Sequence, residues 1–142
     1  MKKKIIVAGH ICVDITPAIQ GKIVNKIQEL PIPGKLIEVG NATVSTGGAV
    51  ANTGLAMKIL GANVSLMGKI GNDAFGEIVK NVLKKYDVEE ELPVSDTEAT
   101  SYTVVVAVPG IDRIFLHNPG ANNAFYTEDI SEEELKDAAL FH

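Results

Sequence analysis

Apolar and polar positions along the chain change period several times, and each change marks an element. Residues 5–13, I-I-V-A-G-H-I-C-V, form a nearly continuous apolar run rich in Ile and Val. Such a run predicts a central parallel strand, buried on both faces and ending near Asp14. Residues 15–45 carry Pro17, Pro31, Pro33 and several glycines, so they cannot be one helix. Short strands are expected there at 22–24, 35–39 and 42–45. From 49 to 60 the pattern turns helical, with Val50, Leu55, Ile59 and Leu60 among small residues and Gly61 placed to end the helix. The run N-V-S-L-M at 63–67 reads as a short buried strand.

A second helix is expected to start at Asn72 or Asp73. Phe75, Ile78, Val79, Val82, Leu83 and Tyr86 recur at helical spacing, and Lys84 and Lys85 complement the dipole of its last turn. Strands follow at 88–93 and 101–108, a tight turn at P-G-I-D (109–112), and a returning hairpin strand at 113–117. The segment Ser131-Glu132-Glu133-Glu134 is a capping box that opens a helix from 132 to about 140. The next strand of the body is expected after His142, which would leave the strand at 5–13 with one neighbour, at 63–67.

Composition narrows the class. The 142 residues are 46% hydrophobic, enough for one domain with a real core. A net charge of -5, with no basic cluster beyond Lys2, Lys3 and Lys4, argues against a nucleic-acid partner. The single cysteine, Cys12, has no internal disulfide partner, which fits a reducing cytoplasm. The basic start before an apolar run mimics a signal peptide, but His10 and Asp14 interrupt the run and no small-residue cleavage site follows. No apolar run is long enough to cross a membrane. His10, His117 and His142 lack metal-ligand spacing, so no metal site is expected.

The candidate chemistry lies at two places. Gly47 and Gly48 stand directly before the helical pattern, with Asn52 about one turn later. Glycine lets a ligand approach the backbone, and the first N–H groups of a helix have no intrahelical partner. The pair therefore offers donors at the positive end of a helix dipole, unless it is a plain loop-to-helix turn. Asp14 is the second place. At the carboxyl end of a strand it meets the usual ligand crevice of an open α/β sheet; otherwise it caps a turn before Pro17. The sequence G-G-A-V-A-N is not the G-x-G-x-x-G of dinucleotide sites.

The series G-G-x-x-x-N from Gly47 to Asn52, then Gly61, then G-x-x-G-x-D-x-x-G from Gly68 to Gly76 resembles the first signature region of the PfkB, or ribokinase-like, carbohydrate kinases. Gly9 to Asp14 also matches the family's G-x-x-x-x-D. The resemblance implies an α/β fold, the N-terminal part of a three-layer α/β/α architecture with a small β-sheet lid. It implies a body at 1–14, 47–87 and 118–142, and a lid at 15–46 and 88–117. Asp14 would accept sugar hydroxyls, with Gly47, Gly48, Asn52, Thr103 and Arg113 as further substrate-binding residues. Arg113 would suit an anionic group if it faced inward, whereas a hairpin arginine more often faces solvent. Gly120–Asn122 matches a short family segment after the lid hairpin and reads as a turn. Val50, where the family has a very small residue, is expected to crowd the sugar side of the turn, and Gly54 to be harmless.

The resemblance also implies ATP and Mg²⁺ as cofactors, with their sites mostly beyond His142. The catalytic Asp belongs to the motif D-T-x-G-A-G-D, which these 142 residues lack. Residues 1–142 are thus expected to be the sugar-binding part of an ATP-dependent kinase, inactive alone, with the lid as a homo-oligomer contact. The competing reading is a non-catalytic module that binds a sugar or nucleoside, or dimerises. Cys12 and Ala49 stand where ribokinase has polar sugar contacts, so ribose is disfavoured.

Overall fold

The computed structural model describes residues 3–20, 25–26, 33–88 and 92–142. In chain order the strands and helices are β1 (Lys4–Ala8), β2 (Cys12–Pro17), β3 (Ala42–Gly47), α1 (Ala56–Ile59), β4 (Asn63–Met67), β5 (Ile70–Gly71), α2 (Ala74–Lys85), β6 (Val94–Ser95), β7 (Tyr102–Val106), β8 (Ile114–Asn118), α3 (Glu132–Lys136) and β9 (Ala138–Phe141). A π-wound segment, Val50–Leu55, leads directly into α1. Tight helical turns occupy Gly120–Ala124 and Thr127–Asp129.

The body is a parallel sheet in the order β4-β1-β9. Ile6 and Val7 of β1 are adjacent, hence on opposite faces, and both are fully buried. On the Val7 face, Val64 and Leu66 meet Val50, Ala51 and Leu55 of the first helix, with Val79 and Leu83 of α2 in the same core. The opposite face carries Lys4 and Ser65, and Glu134 of α3 binds both. Helices therefore lie on both sides of the sheet, the arrangement that a parallel sheet requires. Gly54 lies where a methyl group would run into the Leu66 side chain, so the first helix seats closely on β4. Val50 is fully buried in this core, not facing a sugar site as expected.

The apolar run at 5–13 is two strands rather than one. Gly9 takes φ +124°, a backbone conformation that L side chains rarely adopt, and the chain leaves the body sheet there. It re-enters as β2 in a second, four-stranded sheet of order β3-β2-β7-β8. Asp14 therefore sits within this second sheet, not at the end of a body strand.

Four more expectations change. The helix from 132 stops at Lys136, and residues 138–141 pair in parallel with β1. The central strand thus has both neighbours within the chain. Residues 35–40 form no strand. The strand expected at 88–93 is instead the short β6, which pairs with β5; residues 89–91 and the strand expected at 22–24 lie outside the described residues. Asp73 caps α2 as expected: its Oδ1 accepts from Gly76 N at 2.8 Å.

Candidate substrate site

Register builds the site. Asp14 of β2 pairs with Ser45 of β3 and with Thr103 of β7, and Thr103 pairs with His117 of β8. Paired residues in a sheet share a face, so Ser45, Asp14, Thr103 and His117 form one polar row across all four strands. Val13, Ile15 and Tyr102 point the other way, into the core, where Tyr102 meets the Phe75 ring at 5.3 Å. Alternation in β2 thus fixes one side of this sheet to the body and turns Asp14 toward the other.

Close contacts set the row. Cys12 Sγ donates to Asp14 Oδ1 at 3.4 Å, and Thr103 Oγ1 lies 3.0 Å from His117 Nδ1. His10 Nε2 is 3.4 Å from Ser101 Oγ, and its ring lies 5.4 Å from that of His117. Burial, then the Asp14 charge, push the Cys12 thiol up to about 12, so it stays protonated and remains a donor. Burial and the neighbouring His117 hold His10 below its ordinary value, against a smaller opposing pull from Asp14.

The glycine pair has two separate reasons. A methyl group on Gly47 would strike the Asp14 carboxylate and the Cys12 sulfur, so glycine makes room for the carboxylate. Gly48 has φ +85°, and a methyl group there would strike the His10 carbonyl. That carbonyl accepts from Val50 N at 3.1 Å, so one of the first helix donors is already used inside the protein. Asn52 is exposed and shares a helix face with Leu55, Ala56 and Ile59. This face lines a cleft of about 430 Å³ with Val44, Val82 and Tyr86. Arg113 is exposed at the hairpin end, its guanidinium 5.4 Å from the Phe115 ring centre.

Behind the row lies an anchor. Thr100 is fully buried, and its hydroxyl accepts from Gly71 N at 2.8 Å while its N–H donates to Asp73 Oδ2 at 2.8 Å. Methyl groups on Gly71 and Gly76 would strike backbone in this knot, so the second half of the glycine series serves packing. Asn122 clasps Ile11 with both ends of its amide. The anchor and the clasp fix the start of β7 and the link between β1 and β2, which sets where Thr103 and Asp14 stand.

The sequence profile of the pfkB family carbohydrate kinases matches residues 2–142. The chain belongs to the pfkB family of carbohydrate kinases. Within it, the chain is 34% identical over 99 residues to a probable fructokinase-5 of Arabidopsis thaliana, covering 68% of this chain and 31% of that protein. The fructokinase of Xylella fastidiosa with bound ATP superposes with a TM-score of 0.75 at 26% identity, over 100% of this chain and 39% of that one. Ribokinase of Giardia lamblia superposes with a TM-score of 0.82 at 19% identity, over 98% and 44%, a likeness of fold. The chain therefore spans less than half the length of these pfkB relatives. The fold is the ribokinase-like α/β fold that the glycine series implied.

Sequence reading picked out Asp14, Gly47, Gly48 and Thr103, and the structure gathers these four. It places Asn52 in the cleft beside α2 and Arg113 at the hairpin end. Ser45 and His10 went unassigned, Cys12 stood out only as a departure from ribokinase, and for His117 the sequence leaves open a ligand contact, a core histidine or a surface residue. The signal for Cys12 was the period-2 alternation of Cys12–Pro17, hidden inside an apolar run that read as doubly buried. Among the described residues no three His, Cys, Asp or Glu side chains are placed to hold a metal ion, and no helix is long and apolar enough to cross a membrane.

Proposed function

We propose that residues 1–142 are the substrate-binding part of one pfkB kinase domain, which transfers the γ-phosphoryl group of ATP to a sugar hydroxyl. The observation that carries this is the placement of Asp14. Its carboxylate is half-buried, held by the Cys12 thiol, given room by Gly47, and central in a polar row. A carboxylate so fixed accepts from two neighbouring hydroxyls of a polyol and orients it for in-line transfer. Gly48, Asn52, Thr103 and Arg113 belong to the proposed substrate surface. ATP and Mg²⁺ supply the phosphoryl group and neutralise its charge. The β2–β3 and β7–β8 strands form the lid over the sugar.

The fructokinase relatives make fructose the first sugar to test. In the full-length protein, a coupled ADP-release assay over a sugar and nucleoside panel is expected to find a phosphorylated sugar. Asp14→Ala should then lower kcat/KM at least about tenfold, since each charge-assisted hydrogen bond contributes ~1.5–3 kcal/mol. An unchanged kcat/KM would make Asp14 a structural residue. Residues 1–142 alone are expected not to turn over. The lid's edge strands expose Val44, Ile114, Phe115 and Leu116, which supports a homo-oligomer through the lid, and the single cysteine, Cys12, fits a reducing cytoplasm.

A further inference from the structure

We infer that His117 reads the end of the substrate remote from Asp14, and that the row selects an uncharged, hydroxyl-bearing sugar over a sugar acid or a phosphorylated sugar. This deepens the proposed function and rests on it.

Position comes first. Asp14 and His117 lie two strands apart in the same row, with Thr103 between them. Strands are ~4.8 Å apart, so the two backbones stand about 10 Å apart. A monosaccharide hydrogen-bonded at each end bridges that span. His117 is exposed, and its Nδ1 is occupied by Thr103, which leaves Nε2 for a ligand.

Chemistry selects the class. A neutral imidazole presents one nitrogen as donor or as acceptor, depending on which nitrogen carries the proton. A hydroxyl both donates and accepts, so it pairs with either form. A carboxylate or ionised phosphate only accepts, so it pairs with one. The charge of the row points the same way. Beside the Asp14 carboxylate the row holds no lysine or arginine to pair with an anion. Arg113 is drawn to the Phe115 ring at the exposed hairpin end. His10, beside His117, is held below its ordinary value by burial and by His117, which disfavours its charged form. An anionic substrate would meet Asp14 without a counter-ion.

The test uses the full-length protein with D-fructose, D-glucose, D-ribose and D-gluconate at pH 7.5. Wild type is expected to use its best neutral sugar with at least about tenfold higher kcat/KM than gluconate. His117→Ala should raise KM for that sugar about fivefold or more and leave kcat within about twofold, the mark of lost substrate binding. Thr103→Val frees Nδ1. It should raise KM less than His117→Ala does and shift the His117 ring ¹⁵N resonances by removing the hydrogen bond at Nδ1. Preference for gluconate, or an unchanged KM in His117→Ala, overturns the inference. If His117→Ala fails to fold, His117→Gln takes its place with the same criteria. If no sugar is phosphorylated, the kinase reading fails. Calorimetric titration with the same four sugars then decides the inference alone: neutral-sugar binding weakened by His117→Ala upholds it, while unchanged or undetectable binding overturns it.

Discussion

The Asn122 side chain holds the backbone of Ile11 at both ends: Oδ1 accepts from Ile11 N at 3.1 Å, and Nδ2 donates to Ile11 O at 3.0 Å. The two residues are 111 positions apart. Ile11 is fully buried in the link between the two sheets, where it has no strand neighbour of its own. The amide therefore does the work of a neighbouring strand. Asn122→Ala leaves two buried backbone groups unpaired, at ~1–3 kcal/mol each before water or relaxation offsets part of it. A urea midpoint lower by the equivalent of about 2 kcal/mol is expected, and an unchanged midpoint refutes the role.

Gly47→Ala and Gly48→Ala should fail differently. At Gly47 the added methyl meets the movable ends of Asp14 and Cys12, so the fold should hold while the carboxylate is displaced. At Gly48 it meets the His10 backbone carbonyl, and φ is +85°. Gly48→Ala should therefore cost ~1–3 kcal/mol of stability. In the full-length protein, Gly47→Ala should keep its thermal midpoint and lose sugar affinity. The reverse pattern in melts and titrations would show the two roles exchanged.

Asp73 carries an acid sensitivity with a definite sign. Burial raises its pKa, but the N–H groups of Gly76 and Thr100 outweigh that and hold it below the ordinary 3.8. The folded state therefore binds fewer protons at this group than the unfolded one. Its contribution is full above the ordinary value and is lost as pH falls from 3.8 through the folded value. Asp73→Ala removes a helix cap and the Thr100 clamp, an expected loss of ~1–2 kcal/mol at pH 7. The difference between wild type and variant should shrink in denaturation curves below pH 4. A difference that stays constant down to pH 2 would contradict this assignment.

Cys12 should be inert in the folded protein. With its pKa pushed up to about 12, only roughly one thiol in ten thousand is ionised at pH 8. Reaction with iodoacetamide at pH 8 should be far slower than for an exposed thiol and should recover in urea. Fast labelling without denaturant would mean that the thiol is not held against Asp14.

Local chemistry made part of this protein legible in the sequence. The Ile–Val run demanded burial on both faces, and Ile6 and Val7 have it. Helical spacing with the Asp73 cap defined α2 to within a residue or two. Hairpin β7–β8 followed from two apolar runs around Pro109-Gly110. Asp14, Gly47 and Gly48 stood out because a carboxylate and paired glycines need special surroundings.

Tertiary structure decided what depends on pairing across long separations. Residues 138–141, A-A-L-F, continue the helical pattern after Ser131 equally well. They become a strand because the open side of β1 offers hydrogen bonds that a helix end cannot match. Gly9 splits the apolar run because only the folded chain reveals that it must leave one sheet and enter another. The side of β2 that Asp14 shares with Thr103 and His117 is a matter of register, and a slip of one residue would turn every side chain over. Register is set by partners up to a hundred residues away, so the row that forms the candidate site exists in the fold and not in any local stretch of sequence.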